Sequence, residues 1–429
     1  MNREETLRLR RQVTGHNLAL GYEEPLKIVR GEMQYLFDDS GRRYLDAYNN
    51  VPHVGHCHPE VVEAAAEQMR TLNTNTRYLS ERFNEYAEAL LDTLPTGLDT
   101  CFLVNSASEA NELALRLARA VTGRKDTLVT ESAYHGHTTT LIDISPYKHN
   151  GPGGEGAPDW VHTVPVPDPY RGVHRGPASG RLYANTVRET IARLEESGKK
   201  PCAFIAETYP SVGGQIITPN GYLREAYQHV RKAGGICIAD EVQTSYGRIG
   251  KAFYAFEEQE VVPDVVVMGK PIGNGHPLAA VVTRRAIADA FDNGMEFFST
   301  FGGSTLSCAI GMKVLEITRR DRLQEHAESS GTTLLKELHR LKLRHPLIGD
   351  VRGSGLFIGV ELVEDAETLM PSPDKASQIV NQLKDAGILI GTDGPHHNIL
   401  KIRPPLPFDQ DNAVQLASAL DHILERIDS

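Results

Sequence analysis

Apolar and polar positions alternate along this chain with two different periods. Short unbroken apolar runs, rich in β-branched residues, stand at 101–105 (CFLVN), 127–132 (TLVTES), 203–209 (AFIAETY), 236–242 (ICIADEV) and 264–270 (DVVVMGK). Runs of that length and composition read as buried strands. Between them lie stretches whose apolar residues recur every three or four positions, such as SASEANELALRLARAVTG after the first run, and these read as helices. Alternation of strand and helix predicts an α/β fold with a mainly parallel sheet covered on both faces. Ligands of such sheets sit outside the carboxyl ends of the strands, so attention falls on the polar residues that follow each apolar run.

Two stretches break the alternation. From about 145 to 180 the sequence is dense in Gly and Pro (SPYKHNGPGGEGAPDWVHTVPVPDPYRGVHRGPASG) and reads as a long ordered loop or pair of loops. Near 310 long helical patterns take over, and short strand-like runs follow at 355–363 and 398–406. The expected organisation is a large domain over 60–309 and a smaller α/β domain over 310–429, which the N-terminal segment 1–59 joins.

A length of 429 residues exceeds one ordinary domain of roughly 100–200 residues. A net charge of −11 argues against nucleic acid as a partner, because phosphate backbones select a basic face. It leaves room for a small anionic ligand at a local positive site. The five cysteines (Cys57, Cys101, Cys202, Cys237 and Cys308) are scattered, with no C-x-x-C pair, and read as free thiols of a reducing compartment. The charged N-terminus MNREETLRLRRQ lacks the apolar stretch of a signal peptide. No apolar run reaches the roughly 18 residues of a membrane span. The expectation is a cytoplasmic protein with no membrane contact.

Two polar residues after apolar runs suggest shared chemistry. Lys270 closes the run at 264–270 and precedes PIGNGHPL. Burial at a strand end favours the free amine, which condenses with an aldehyde, while the glycines admit a close ligand. Alone, Lys270 also reads as a surface lysine at a strand end. Asp240 sits within ICIADEV. A carboxylate there can hold the ring nitrogen of pyridoxal 5′-phosphate protonated, so that the ring accepts electrons; the alternative is a core ion pair. Gln243, three residues on, can hydrogen-bond the phenolic oxygen of such a ring.

The segment NSASEAN opens a helix after a strand, and Ser106, Ala107 and Ser108 offer N–H groups and hydroxyls for a phosphate. It reads equally as an ordinary N-cap. Tyr134, in AYHGH, can stack on a flat ring or simply pack in its loop. Thr300, in STFGGS, is a further phosphate donor or part of a plain turn. His53, His56, Cys57 and His58 suggest a metal cluster, but no second ligand pair at zinc spacing accompanies them. They read as packed histidines, and no metal is expected. Neither G-x-x-x-x-G-K-[ST] nor G-x-G-x-x-G follows a strand, which speaks against a nucleotide-binding protein. A pyridoxal-binding regulator would need an added DNA-binding module, for which this acidic chain has no spare segment.

Together these residues resemble the class III (ω-amino-acid) aminotransferases of pyridoxal-phosphate fold type I. The resemblance runs from GYEEPLKIVRGEMQYLFDDSGRRYLD (21–46) to KIRPPL (401–406). It is strongest in DEVQTSYGRIGK (240–251), then in MGKPIGNGHPL (268–278) and STFGG, with Ser245 where the family usually has glycine. It implies a seven-stranded, mainly parallel sheet in the large domain and a small domain built from both termini. It implies pyridoxal 5′-phosphate as a Schiff base on Lys270, with Lys270 and Asp240 catalytic. Ser106, Ala107, Ser108, Tyr134, His135, Glu207, Gln243 and Thr300 would complete the cofactor site. It further implies a homodimer with active sites at the interface, where Thr300 reaches the cofactor phosphate of the opposite subunit, and leaves open whether dimers pair into tetramers.

Within the family, DAYNNVPHVGHCHP (46–59), NTNTRYL (73–79), SPYKHNGPGG (145–154), DPYRG (168–172) and SVGGQIITPNGYL (211–223) look like the phospho-lyase branch. The arginine that binds a substrate carboxylate in ω-aminotransferases is replaced by Lys401, with Arg403 two residues on. The glutamate that masks that arginine is replaced by Val212. Both halves of a switch between amine and 2-oxo acid are missing, which suits a lyase. The resemblance therefore implies elimination of phosphate from a small phosphorylated amine such as O-phosphoethanolamine. Arg77, Lys401, Arg403, Tyr78 and Asn50 are its expected substrate residues. The alternatives are an ω-aminotransferase using pyruvate or glyoxylate, and a phospho-lyase acting on phosphohydroxylysine.

Overall fold

The computed structural model describes residues 1–176 and 178–428. An N-terminal antiparallel meander contains β1 (Ile28–Glu32), β2 (Tyr35–Asp38) and β3 (Arg43–Asp46). The central sheet contains β4 (Thr100–Val104), β5 (Thr127–Thr130), β6 (Val161–Val164), β7 (Ala203–Glu207), β8 (Ile236–Asp240), β9 (Val265–Met268) and β10 (Ala279–Thr283). The last third contributes β11 (Ile348–Ser354), β12 (Phe357–Asp365), β13 (Met370–Pro371), β14 (Ile388–Leu389), β15 (Gly391–Asp393) and β16 (Ile399–Ile402).

The central sheet has seven strands in the order β4-β10-β9-β8-β7-β5-β6. β10 runs antiparallel to both its neighbours, and every other pairing is parallel. Successive side chains of one strand serve opposite faces, as strand geometry requires. Val266 and Met268 of β9 pack with Leu103, Ala280 and the helix Thr305–Arg320. Val265 and Val267 pack on the other face against Leu113, Ala114 and Leu117 of the helix Ala107–Thr122. Burial on both faces explains why these strands read as continuous apolar runs.

The N-terminal meander joins the last third of the chain, since β3 pairs in parallel with β14, Leu45 opposite Ile388. The helix Thr305–Arg320 spans the position where the character of the sequence changes.

The Gly/Pro-rich stretch at 145–180 is more ordered than a loop. It holds a short helix, Pro146–His149, the edge strand β6 and the first turn of the helix Ser179–Glu196. β6 pairs on one side only, so prolines 158, 165 and 167 beside it cost no ladder hydrogen bond. Among the described residues no helix is long and apolar enough to cross a membrane. All five cysteines are free thiols.

Candidate active site

Three neighbouring parallel strands, β7, β8 and β9, end on the same side of the sheet. Register places Glu207 opposite Asp240, and Asp240 opposite Val267. Lys270 stands two residues beyond β9, where the chain turns into a single 3-10 turn, Lys270–Gly273. The residue before it must be glycine for lack of room: a Cβ on Gly269 would lie 2.9 Å from the Ala107 Cβ. That contact seats the start of the helix Ala107–Thr122 beside Lys270. A cavity of about 570 Å³ opens there, lined by Lys270, Asp240, Glu207, Gln243, Tyr134 and Ser106–Ser108 among others. Cofactor residues named from distant parts of the sequence thus share one cavity.

Asp240 is buried at 5% exposure and fully engaged. Its Oδ2 accepts from His135 Nδ1 at 2.8 Å and from Asn111 Nδ2 at 2.9 Å, and its Oδ1 accepts from the Val242 N–H at 3.2 Å. Those three donors fix the orientation of the carboxylate at the rim of the cavity it lines. Asn111 was not foreseen. Its signal was an amide on the buried, mostly apolar face of an amphipathic helix.

Glu207 accepts from the N–H groups of Ser211 at 3.0 Å and Tyr134 at 3.3 Å. Burial, then the facing charge of Asp240, push its carboxyl up to about 7, against the pull of His135 and those two N–H groups. Burial, then the Arg403 charge, bring the Lys270 amine down to about 8, although Asp240, Glu207 and Asp393 act the other way. A lysine so placed carries a free amine in about a tenth of molecules at neutral pH, far more than an exposed lysine does.

Beside the cavity, joined to it through Gln243, lie residues from the two ends of the chain. Asp46 Oδ1 accepts from the N–H groups of Tyr48 and Asn49, folding a loop that brings Asn50 to the cavity edge. Asn50 Nδ2 and Arg403 Nη1 each donate to Gln243 Oε1 at 2.5 Å, and Arg403 Nη1 also reaches Ser211 Oγ at 2.7 Å. Lys401 pairs with Asp393 at 2.7 Å and lies 5.4 Å from the centre of the Tyr48 ring. Burial, then Arg403, lower the Lys401 amine to about 8, with Asp393 opposing.

Three named residues lie outside this cavity in their own chain. Arg77 pairs with Glu296 at 3.4 Å and lies over Phe298. Tyr78 is 69% exposed, and Thr300 is exposed as well. The histidine cluster disperses: His53 bonds the Tyr246 carbonyl at 2.8 Å, His56 pairs with Asp46 at 2.7 Å, and His58 precedes the helix Pro59–Thr71.

The cavity suits pyridoxal 5′-phosphate. It offers one amine for the aldehyde, the Asp240 carboxylate for the ring nitrogen, and Tyr134, Val51 and Val242 for the flat faces. The phosphate end meets the first turn of the helix Ala107–Thr122, where free N–H groups and the positive end of the helix dipole favour an anion. There Gly136, at φ +143°, crosses so closely that a Cβ would stand 2.6 Å from Ser108 Oγ.

The family model for class III aminotransferases matches residues 19–424. An alanine–glyoxylate aminotransferase 2-like protein of Drosophila melanogaster is 48% identical over 96% of this chain and 85% of its own length. Ethanolamine-phosphate phospho-lyase homolog 1 of Caenorhabditis elegans is 43% identical over 99% of this chain and 94% of its own. Among solved structures, a phospholyase from Arthrobacter in complex with phosphoethanolamine superposes with a TM-score of 0.93 at 38% identity, covering 98% of this chain and 99% of that one. The chain belongs to the class III aminotransferase family, and its cofactor is pyridoxal 5′-phosphate.

Proposed function

We propose that this enzyme is a phospho-lyase that converts O-phosphoethanolamine and water to acetaldehyde, ammonia and phosphate. The observation that carries the reading is the pair of buried cations, Lys401 and Arg403, beside the Lys270 amine, with only Asp393 in direct ion-pair contact, on Lys401. A net positive wall suits a multiply charged phosphate better than a carboxylate. Support also comes from the relatives named for phospho-lyase chemistry and from the absence of the masking glutamate at Val212.

Pyridoxal 5′-phosphate, when bound, supplies the aldehyde that captures an amine and the ring that takes up an electron pair. Asp240, fixed by His135 and Asn111, would hold the ring nitrogen, and its carboxylate would favour a proton there. Lys270 removes the proton from the substrate carbon that bears the amine. Its lowered proton affinity suits a base working near neutral pH. Lys401 and Arg403 hold the phosphate oxygens as the bond from carbon to the ester oxygen breaks, which makes phosphate a better leaving group. Arg77, Tyr78 and Thr300 serve the neighbouring subunit's site in a homodimer, which accounts for their exposure in the single chain.

The named relatives also support an aminotransferase reading, since the Drosophila protein carries such a name at 48% identity. The two readings part in one assay. Phosphate and acetaldehyde released from O-phosphoethanolamine without any 2-oxo acid support the lyase. Turnover only with pyruvate or glyoxylate, and no phosphate, removes it.

A further inference from the structure

We propose that Arg403 and Asn50 are positioning residues for Gln243, holding its side-chain amide in one orientation with the NH2 group left to donate into the cofactor cavity. The inference rests on pyridoxal phosphate as cofactor, not on the choice of substrate.

The argument starts from the donor count on one atom. Gln243 Oε1 accepts from both Asn50 Nδ2 and Arg403 Nη1, each at 2.5 Å. Neither a guanidinium nor an amide nitrogen can accept, so the atom between them must be the carbonyl oxygen. The amide is therefore not free to flip, and its two N–H groups belong to the cavity that Gln243 lines. The three residues come from distant parts of the chain, and each is anchored from behind. The Asn50 loop is folded by Asp46. Arg403 is tied by its side chain to Ser211 and by its own N–H to the Ala47 carbonyl at 2.9 Å. Arg403 is 4% exposed and Asn50 5%, so neither oxygen contact competes with bulk water.

An amide fixed this way presents a donor to an acceptor on the ring. A free amide spends part of its time presenting its carbonyl instead, which repels that acceptor. Loss of either clamp should then weaken the cofactor before any substrate is present. This differs from a role confined to the substrate, which leaves the resting holoenzyme unchanged.

The experiment is a double-mutant cycle read by cofactor affinity. Apoenzyme is titrated with pyridoxal 5′-phosphate, following visible absorbance, for the native chain, Arg403→Met, Gln243→Leu and the double variant. Arg403→Met and Gln243→Leu should each weaken binding by about tenfold, the scale of one charge-assisted hydrogen bond. The double variant should be little worse than Gln243→Leu alone, because the clamp acts only through that amide. Asn50→Ala, which leaves the buried charge in place, should give a smaller loss that also vanishes in the Gln243→Leu background. It decides the matter if Arg403→Met does not fold. Two results overturn the proposal: losses that multiply in the double variants, or Arg403→Met and Asn50→Ala that bind cofactor like the native chain and change only KM for phosphorylated amines. Failure of the lyase reading shows in the phosphate assay and moves none of these affinities.

Discussion

At the scale of single residues, the site depends on how burial sets proton affinity. The Lys270 amine is brought down to about 8 chiefly by loss of water and by Arg403. Only its unprotonated form attacks an aldehyde. Capture of pyridoxal phosphate by apoenzyme should therefore quicken as pH rises through about 8 and level off above it, measured by stopped-flow absorbance. An ordinary surface lysine would still be quickening near pH 10. Lys270→Ala should lose both the visible band and turnover; a variant that kept native turnover would remove Lys270 from the chemistry. Lys270 and Asp240 were legible because each is a charged residue next to an apolar run, where an uncompensated charge is costly. Asn111 was harder to read, since its role depends on the helix turning it toward a strand more than a hundred residues away. Ser245, where the family usually has glycine, lies buried with its hydroxyl unpaired and without a positive φ, so no backbone demand required glycine there.

At the scale of elements, strands β5, β7, β8 and β9 were legible because parallel strands buried on both faces leave no polar alternation to interpret, and the edge strand β4, antiparallel to β10, was legible from its short apolar run. β6 was missed, since four residues between prolines carry little pattern, and its place at the sheet edge is a tertiary fact. Lys270 was read at the end of its strand but stands two residues further on. That offset turns the lysine over the sheet's edge into the cavity. The loop opposite is held just as closely. Gly136 combines φ +143° with contacts that a methyl group would bring to 2.5 Å from Leu141 Cδ1 and 2.6 Å from Ser108 Oγ. Gly136→Ala should cost about 1–3 kcal/mol in a urea melt, the range for forcing a side chain into that backbone region. It should also weaken cofactor binding, because the displaced atoms include the phosphate-end hydroxyl. A native urea midpoint together with native cofactor affinity would contradict the packing argument.

At the scale of the whole molecule, the site draws on residues 50, 240, 270 and 403: Asp240 and Lys270 line the cavity, Asn50 and Arg403 reach it through Gln243, and only the middle two announced themselves through local pattern. The ends of the chain reach the site because β3 pairs with β14 and the Arg403 N–H meets the Ala47 carbonyl, a topology that no local window of sequence contains. The same scale explains residues that find no place in the single chain. Segments 72–79 and 295–305 lie together: Thr305 Oγ1 donates to the Leu72 carbonyl, and Arg77 reaches Glu296 and Phe298. This surface exposes Tyr78 at 69%, Leu79 at 104%, Met295 at 68% and Phe301 at 71%. Isolated apolar residues on a surface need no explanation, whereas apolar residues exposed on two segments that lie together would suit the homodimer contact proposed above. Arg77 and Thr300 belong to these same segments, and the proposed dimer would have them serve the second copy's site. Leu79→Lys combined with Phe301→Asp places charges where apolar contact is expected, and should convert a dimer to a monomer by light scattering while the fold, followed by circular dichroism, persists. If Arg77 acts across that boundary, the monomer should lose turnover of O-phosphoethanolamine even though every residue of its own Lys270 cavity is intact. Arg77→Ala should raise KM for this substrate more than for a neutral amine while leaving the dimer whole. A fully active monomer would show that one chain suffices, and would return Arg77 to a purely structural ion pair with Glu296.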